Sequence, residues 1–395
     1  MTVKIPITVT SFARKLRAEM PITNNFAYFD HAAVSPLPAV SAEKMVAWAK
    51  QVSMEGDTKW PDWARDIELT RTQAAGLIDA EESEIALIPN TTFGINVIAN
   101  GIPWKKGDSV IVPENEFSSN LLPWKLLSNR GVEVRIAKMP PIEERSNVSM
   151  FDHILPFLDQ TTKVVSVSWV GYVSGFRCDL AELCERLHAR GIKLCVDAIQ
   201  GLGAFPLSVK SVPIDFLAAD GHKWMLGPEG AGILFIQKKH LDWLQPTMIG
   251  WNSVVGAHHF LPDASELKPN SQRFEGGACN MPGQISLGTS IELLRQCNPA
   301  SEGYPLTTSI IDHCNYLVDE LQRIGAVCYR ASDARCHSGI VPFKLPNHDG
   351  TLIRAQLLKS NVVLSVRQGF LRAAVHGYNS TDDIDRLITG LVDAT

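Results

Sequence analysis

Between residues 84 and 237, short β-branched and aliphatic runs alternate with stretches of helical pattern. The runs are IALI (85–88), SVIVP (109–113), VEVRIA (132–137), KVVSVSWV (163–170), KLCVDA (193–198), DFLAAD (215–220) and GILFIQ (232–237). Helical periodicity fills 93–99, 121–128 and 180–190 between several of them. Apolar strands separated by helices predict an α/β fold with a mostly parallel, seven-stranded sheet covered on both faces. Ligands bind such sheets beyond the carboxyl ends of the strands, so the residues just after each run are the ones to inspect.

The stretch 261–283 is rich in Pro, Gly, Asn and charge and reads as a linker or long loop. After it, 285–296 and 307–323 pattern as amphipathic helices, VPFKL (341–345) as a strand, and a last helix starts at Asp382. These elements predict a smaller α+β C-terminal domain. The expected division is an N-terminal segment, 1–25, packing with the small domain, a large domain 26–270, and a small domain 271–395. A chain of 395 residues, 45% hydrophobic, buries such a core without disulfides.

Charge and cysteine usage narrow the partners. The net charge of −5 and the lack of a long basic run argue against nucleic acid and anionic membrane, which require clustered Lys and Arg. No stretch holds 18 consecutive apolar residues, and the first residues carry no apolar core followed by a small-residue cleavage site, so no membrane helix or signal peptide is expected. The eight cysteines form no CxxC pair and all lie after residue 177, which fits reduced, mostly core cysteine in a cytoplasmic protein with no metal site.

The chemistry is concentrated in VDAIQGLGAF and DFLAADGHKWMLGPEGAGILF. Asp197 ends one strand, Gln200 follows three residues later, and Lys223 comes just after another strand. A buried Asp and a Lys beyond neighbouring strand ends converge on one ligand. That is the layout a pyridoxal phosphate site needs: an amine for the Schiff base and a carboxylate that keeps the pyridine nitrogen protonated. Singly, Asp197 reads as a helix cap and Lys223 as a surface amine; the pair with the flanking Gly, His and Trp outweighs both. NTTFGIN (90–96) follows a strand and opens a helix, so backbone N–H groups face an anion there.

With GHKW at 221–224, these motifs resemble the class V aminotransferase family of fold-type I pyridoxal phosphate enzymes, over nearly the whole chain from FDHAAVSPLP (29–38) to HGYNSTDDID (376–385). The family includes cysteine desulfurases, selenocysteine lyases, kynureninases and isopenicillin N epimerase-like proteins. The resemblance implies a large cofactor-binding domain with Lys223 as the Schiff-base lysine and proton carrier. It implies Asp197 at the pyridine nitrogen, Gln200 at the ring hydroxyl, and His222 at the phosphate or ring edge. Thr91 and Thr92 would hold the phosphate, Phe117 of ENEFSSN would stack on the ring, and Arg372 and His31 would meet the substrate. RFEGGACNMPG (273–283) resembles the segment that reaches the neighbouring subunit's phosphate through Gly277, which implies a homodimer with shared sites.

Four positions depart from the family's pattern. Ala278 replaces a common Thr. Asp220 stands where desulfurases have a phosphate-binding Ser, so it should turn away or pair with a donor. Trp169 replaces an Asn beside the ring hydroxyl. No Cys lies between Leu352 and Arg372, where desulfurases carry their reactive thiol. The resulting expectation is an aminotransferase or lyase acting on an amino acid, then an epimerase-like enzyme. Desulfurase-like activity and a catalytically silent scaffold of the same fold are the remaining alternatives.

Overall fold

The computed structural model describes residues 10–144, 149–259 and 266–395. Residues 261–265 of the expected linker lie outside them. A two-residue strand, β1 (Ala27–Tyr28), precedes the seven strands of the main sheet. These are β2 (Ile85–Ile88), β3 (Ser109–Pro113), β4 (Glu133–Ala137), β5 (Thr162–Ser168), β6 (Lys193–Asp197), β7 (Phe216–Asp220) and β8 (Gly232–Ile236). Their spatial order is β2-β8-β7-β6-β5-β3-β4. From β7 to β4 every neighbouring pair is parallel, and only β8 runs against its neighbours β7 and β2. This is the predicted α/β sheet, strand for strand.

Burial explains the composition of the strands. β2, β3, β7 and β8 are buried at every position and contain little but aliphatic residues, as strands covered on both faces must. The edge strand β4 is largely accessible and carries Glu133 and Arg135, charges that discourage pairing with another chain.

The helix predicted from 285 begins earlier, as Met281–Cys297: Asn280 caps it by accepting from Gly283 N, and Pro282 occupies the first turn, where its missing N–H costs nothing. The helical pattern over 121–128 splits into a short helix, Leu122–Lys125, and the 3₁₀ turn Leu126–Arg130.

The remaining strands are β9 (Val327–Cys328), β10 (Ile340–Lys344), β11 (Val362–Val363), β12 (Ser365–Arg367) and β13 (Phe370–Ala374). β11 pairs in parallel with β1, and the others form an antiparallel sheet ordered β12-β13-β10-β9. The helix Ser11–Ala18 ties to the C-terminal residues: Arg17 donates to Tyr378 O and to both carboxylate oxygens of Asp383. Ala13 and Leu16 pack there with Leu294, Leu306 and Tyr378. Met281–Cys297 leans instead toward the N-terminal helices, with Ser286 Oγ donating to Ser41 O and Thr70 Oγ1 donating to Gln284 O.

Candidate active site

A cavity of about 360 Å³ opens at the carboxyl ends of β5, β6 and β7 and is closed on its far side by β12 and β13. It brings together Lys223, Asp197, Gln200, His222, Thr91, Thr92, Phe117 and Arg372. Size alone does not pick it out. A cavity of about 760 Å³ lies elsewhere, between Trp169, Arg177 and Cys336, but it holds no lysine.

Asp197 is the last residue of β6 and is 2% exposed. Its Oδ1 accepts from Ile199 N at 3.1 Å, turning the chain off the sheet. Burial raises the carboxyl to about 6, against the opposing pull of the Ile199 N–H and the Lys223 charge. Lys223 follows β7 by three residues, and its Nζ makes no hydrogen bond among the described residues. Burial lowers its amine to about 8; Asp197 opposes the shift and Arg372 adds to it. A neutral, unbonded amine close to neutral pH is a nucleophile and a base. Leu226, just beyond, sits at φ 56°, an unusual conformation for a branched residue and a local strain next to the lysine.

Gln200 is fixed on two sides: Trp224 Nε1 donates to its Oε1 at 2.9 Å, and its Nε2 donates to Ala32 O at 3.0 Å. One N–H of the amide remains for a ligand. The helix Thr91–Gly101 points its N-terminus at the cavity, capped by Asn90, whose Oδ1 accepts from Phe93 N. Thr91 Oγ1 accepts from Asp220 N, and Thr92 Oγ1 pairs with Ser119 Oγ at 2.7 Å. Asp220 Oδ2 lies 3.0 Å from His222 Nδ1 without forming a hydrogen bond, and both Asp220 Oδ1 and His222 Nδ1 are buried without a hydrogen-bond partner among the described residues. Phe117 is exposed at the mouth, edge-on to Tyr172, with Lys223 Nζ 5.7 Å from its ring centre.

Arg372 is 1% exposed. It donates from Nε to Ser365 Oγ at 3.1 Å, from Nη1 to Tyr172 O at 2.7 Å and from Nη2 to Asp30 Oδ1 at 3.3 Å. Burial lowers its guanidinium to about 10 while Asp30 opposes the shift. Two of its five N–H groups are left.

Two expected residues are placed elsewhere. His31 is fully buried behind Trp224, not in the cavity lining: its Nδ1 donates to Ala374 O at 2.9 Å and its Nε2 accepts from Tyr378 Oη at 2.6 Å. Neither ring nitrogen is free for a substrate, and burial holds the imidazole neutral, so the expected substrate contact is corrected to a packing role. Gly277 lines a separate cavity of about 500 Å³ with Ala278, Gly230 and Met248, and does not reach Lys223 of its own chain. Trp169 also leaves the site, with its ring packed so closely on Gly201 that a Cβ there would lie 2.4 Å from it.

Glu116 is a site neighbour that the sequence reading passed over. Its Oε1 accepts from Ser168 N at 2.7 Å, and its Oε2 accepts from Ser168 Oγ and from Asn120 Nδ2. Burial raises its carboxyl to about 7, and the Asp197 charge pushes the same way. Ser168 lines the cavity and pairs in register with Asp197, so Glu116 clamps the loop carrying Phe117 onto β5.

Comparison with known proteins gives the family. The family model "Aminotransferase class-V" matches residues 27–387. A probable cysteine desulfurase of Methanothermobacter thermautotrophicus is 29% identical over 399 residues, covering 94% of this chain and 95% of that one. Among solved structures, the apo cysteine desulfurase of Thermococcus onnurineus superposes with a TM-score of 0.86 at 23% identity, over 98% of this chain and 99% of that one. The cystine C–S lyase C-DES, solved with cysteine persulfide, gives 0.86 at 23%, over 95% and 99%. The chain belongs to the class V aminotransferase family, and with it is a pyridoxal phosphate-dependent enzyme. The residues present fit that cofactor: an unbonded amine for its aldehyde, a buried carboxylate for its ring nitrogen, and a helix N-terminus with hydroxyls for its phosphate.

Proposed function

We propose that the protein catalyses a lyase-type elimination on a free amino acid, using Lys223 and no protein thiol. The observation that carries this reading is a cavity that joins an unbonded Lys223 Nζ to Asp197 and Arg372 and is lined by no cysteine. Pyridoxal phosphate, when bound, supplies an electron sink for the pair released at the substrate Cα. Lys223 Nζ takes the Cα proton. Asp197 would hold the proton on the ring nitrogen, and the free Gln200 N–H would bond the ring hydroxyl. Thr91, Thr92 and the helix N-terminus would bind the phosphate with His222 nearby, Phe117 would cover the ring, and Arg372 would orient the α-carboxylate through its two remaining N–H groups. Such an elimination would leave the electron pair of the bond to Cβ on the departing β-substituent, the proton held by Lys223 Nζ would balance its charge, and one water would convert the released enamine to a keto acid and ammonia.

A two-residue turn supports the thiol-free route. β12 and β13 are joined directly through Gln368 and Gly369, at φ 50° and 80°, values typical of a tight hairpin turn. No loop exists there to carry a reactive cysteine to the substrate.

We further propose a homodimer, in which Gly277 of one protomer lies at the phosphate of its partner. Its position away from its own Lys223, beside exposed Met248 and Ile249, supports this. The division at 270/271 and a reducing, cytoplasmic setting for eight unpaired cysteines belong to the same reading. No described helix is long and apolar enough to cross a membrane.

Borohydride reduction of the cofactor-loaded protein should place the pyridoxyl label on Lys223. Screening amino acids without any keto-acid acceptor should release ammonia and keto acid. A label on another lysine, or turnover only when an acceptor is added, overturns the proposal.

A further inference from the structure

The proposed clamp leaves a second guanidinium at the site without a task. Arg367 lines the same cavity as Lys223 and Arg372. It ends β12, and the register pairs Ser365 with Arg372 across the hairpin. Ser365 and Arg367 are two residues apart in one strand and so share a face, the face on which Arg372 Nε meets Ser365 Oγ. Both guanidiniums therefore belong to one side of the hairpin, toward the cavity.

Their surroundings differ sharply. Arg372 is buried, with Asp30 beside it as a counter-charge. Arg367 is exposed, and its Nη1 donates to its neighbour's carbonyl, Val366 O, at 2.9 Å. No described carboxylate lies within ion-pair distance of it. The other acids of the cavity, Asp197, Asp220 and Glu229, all come from the main sheet and its loops, where Lys223 sits and where the cofactor's cationic ring nitrogen would lie. Charge is thus segregated by sheet: anions on the cofactor side, two cations on the substrate side, and only one of those cations neutralised by the protein.

We propose that the substrate is an amino acid carrying a second anionic group, with Arg372 holding the α-carboxylate and Arg367 the distal acid. The inference rests on the elimination reading above and adds its substrate class. The cavity of about 360 Å³ must also hold the cofactor, so the distal group belongs at the mouth, where Arg367 is solvent-accessible. A guanidinium offers a carboxylate two parallel N–H bonds, and it accepts a sulfonate or phosphonate by the same chemistry. A neutral side chain of equal length leaves that charge unanswered.

The test uses the cofactor-loaded enzyme and two isosteric pairs, aspartate with asparagine and glutamate with glutamine. Affinity is read from the shift of the cofactor's visible band and, independently, by calorimetry. The wild type should bind the acid of at least one pair about 10- to 100-fold more tightly than its amide. Arg367→Ala should collapse that ratio toward one, and Arg367→Lys should restore part of it. Equal binding of acid and amide by the wild type overturns the inference, as does an Arg367→Ala variant that weakens both by the same factor. Failure of the elimination reading looks different: Lys223 takes no label, or no amino acid of any charge shifts the band.

Discussion

Trp224 donates its indole N–H to Gln200 Oε1 at 2.9 Å, and this bond decides which way the Gln200 amide faces. Indole is a donor only, so it must meet the amide oxygen, while the Ala32 carbonyl accepts only and must meet the amide nitrogen. The amide's remaining N–H is thereby aimed without freedom to flip. Trp224 is itself fully buried and stacked on His376, whose Nε2 donates to Trp224 O at 3.2 Å.

Trp224→Phe should therefore damage two things at once. It leaves the buried Gln200 oxygen unpaired, a loss of about 1–3 kcal/mol in the stability of the cofactor-free protein. It also frees the amide to turn, which should broaden or shift the cofactor's visible band. Denaturant unfolding and absorbance read the two effects. If both match wild type, Trp224 does not orient Gln200.

Asp197→Asn should raise stability and lower turnover. The folded carboxyl titrates near 6 and the unfolded one near 3.8, so the folded state holds the proton more tightly between those values. Stability of the cofactor-free chain thus falls as pH rises from about 4 to 6 and stays reduced above. Removing the buried charge should recover roughly 1–3 kcal/mol at pH 8 and little at pH 4. Turnover should fall about 10²–10³-fold, as when one preorganised electrostatic group is lost. A variant that is destabilised at pH 8, or that turns over normally, contradicts this.

The amine at 223 should react with the cofactor's aldehyde at a rate that levels off above about pH 8, because only the neutral form attacks and burial has lowered its titration to that value. An ordinary lysine would keep gaining reactivity to about 10.5. Mixing cofactor-free protein with pyridoxal phosphate across pH 6–10 and timing the visible band separates the two. A rate still climbing at pH 10 sinks the lowered amine.

The strand pattern was legible because the runs of the main sheet, apart from the edge strand β4, are largely buried and have to be apolar, so sheet and strand-end positions followed together. Local signals also placed the Asn90 cap and the helix N-terminus at the cavity. What could not be read were relations between distant segments. His31 stands in a motif that suggests a site, yet its neighbours Ala374 and Tyr378 come from more than 340 positions away and take both ring nitrogens. Glu116 looks like any loop carboxylate until β5 is laid beside β3 and Ser168 meets it. The helix start at Met281 was hidden inside a Pro- and Gly-rich run, although Asn280 and Pro282 are a cap and a first-turn proline.

Turnover should survive the loss of Cys279 and Cys336, the more accessible of the three cysteines that line the other two cavities. Cys279 lines the cavity with Gly277, and Cys336 the one between Trp169 and Arg177; neither lines the cavity of Lys223 in its own chain. Burial raises both thiols, so neither carries the lowered pKa of a reactive cysteine. A Cys279→Ser, Cys336→Ser double variant should keep wild-type turnover on its amino acid. Sulfide release from cysteine that disappears in this variant would revive a persulfide route.

Arg372→Lys should behave as a non-conservative change. Lysine keeps a positive charge near Asp30, so the buried acid is not abandoned and the fold should persist. It cannot reproduce the planar fork, and it cannot serve Ser365 Oγ, Tyr172 O and Asp30 together while still offering two donors to a substrate. Charge-assisted bidentate bonds are roughly twice as strong as neutral ones, so amino-acid affinity should drop about 10- to 100-fold. Cofactor retention should stay near wild type, because Lys223, Asp197 and the Thr91 helix are untouched. Arg372→Ala is a poorer probe, since it leaves Asp30 without its partner and confounds affinity with stability. Titrating the visible band with amino acid in Arg372→Lys, alongside cofactor content and unfolding midpoint, separates the two effects. Unchanged amino-acid affinity with normal cofactor content would move the α-carboxylate to Arg367 and remove the clamp from Arg372.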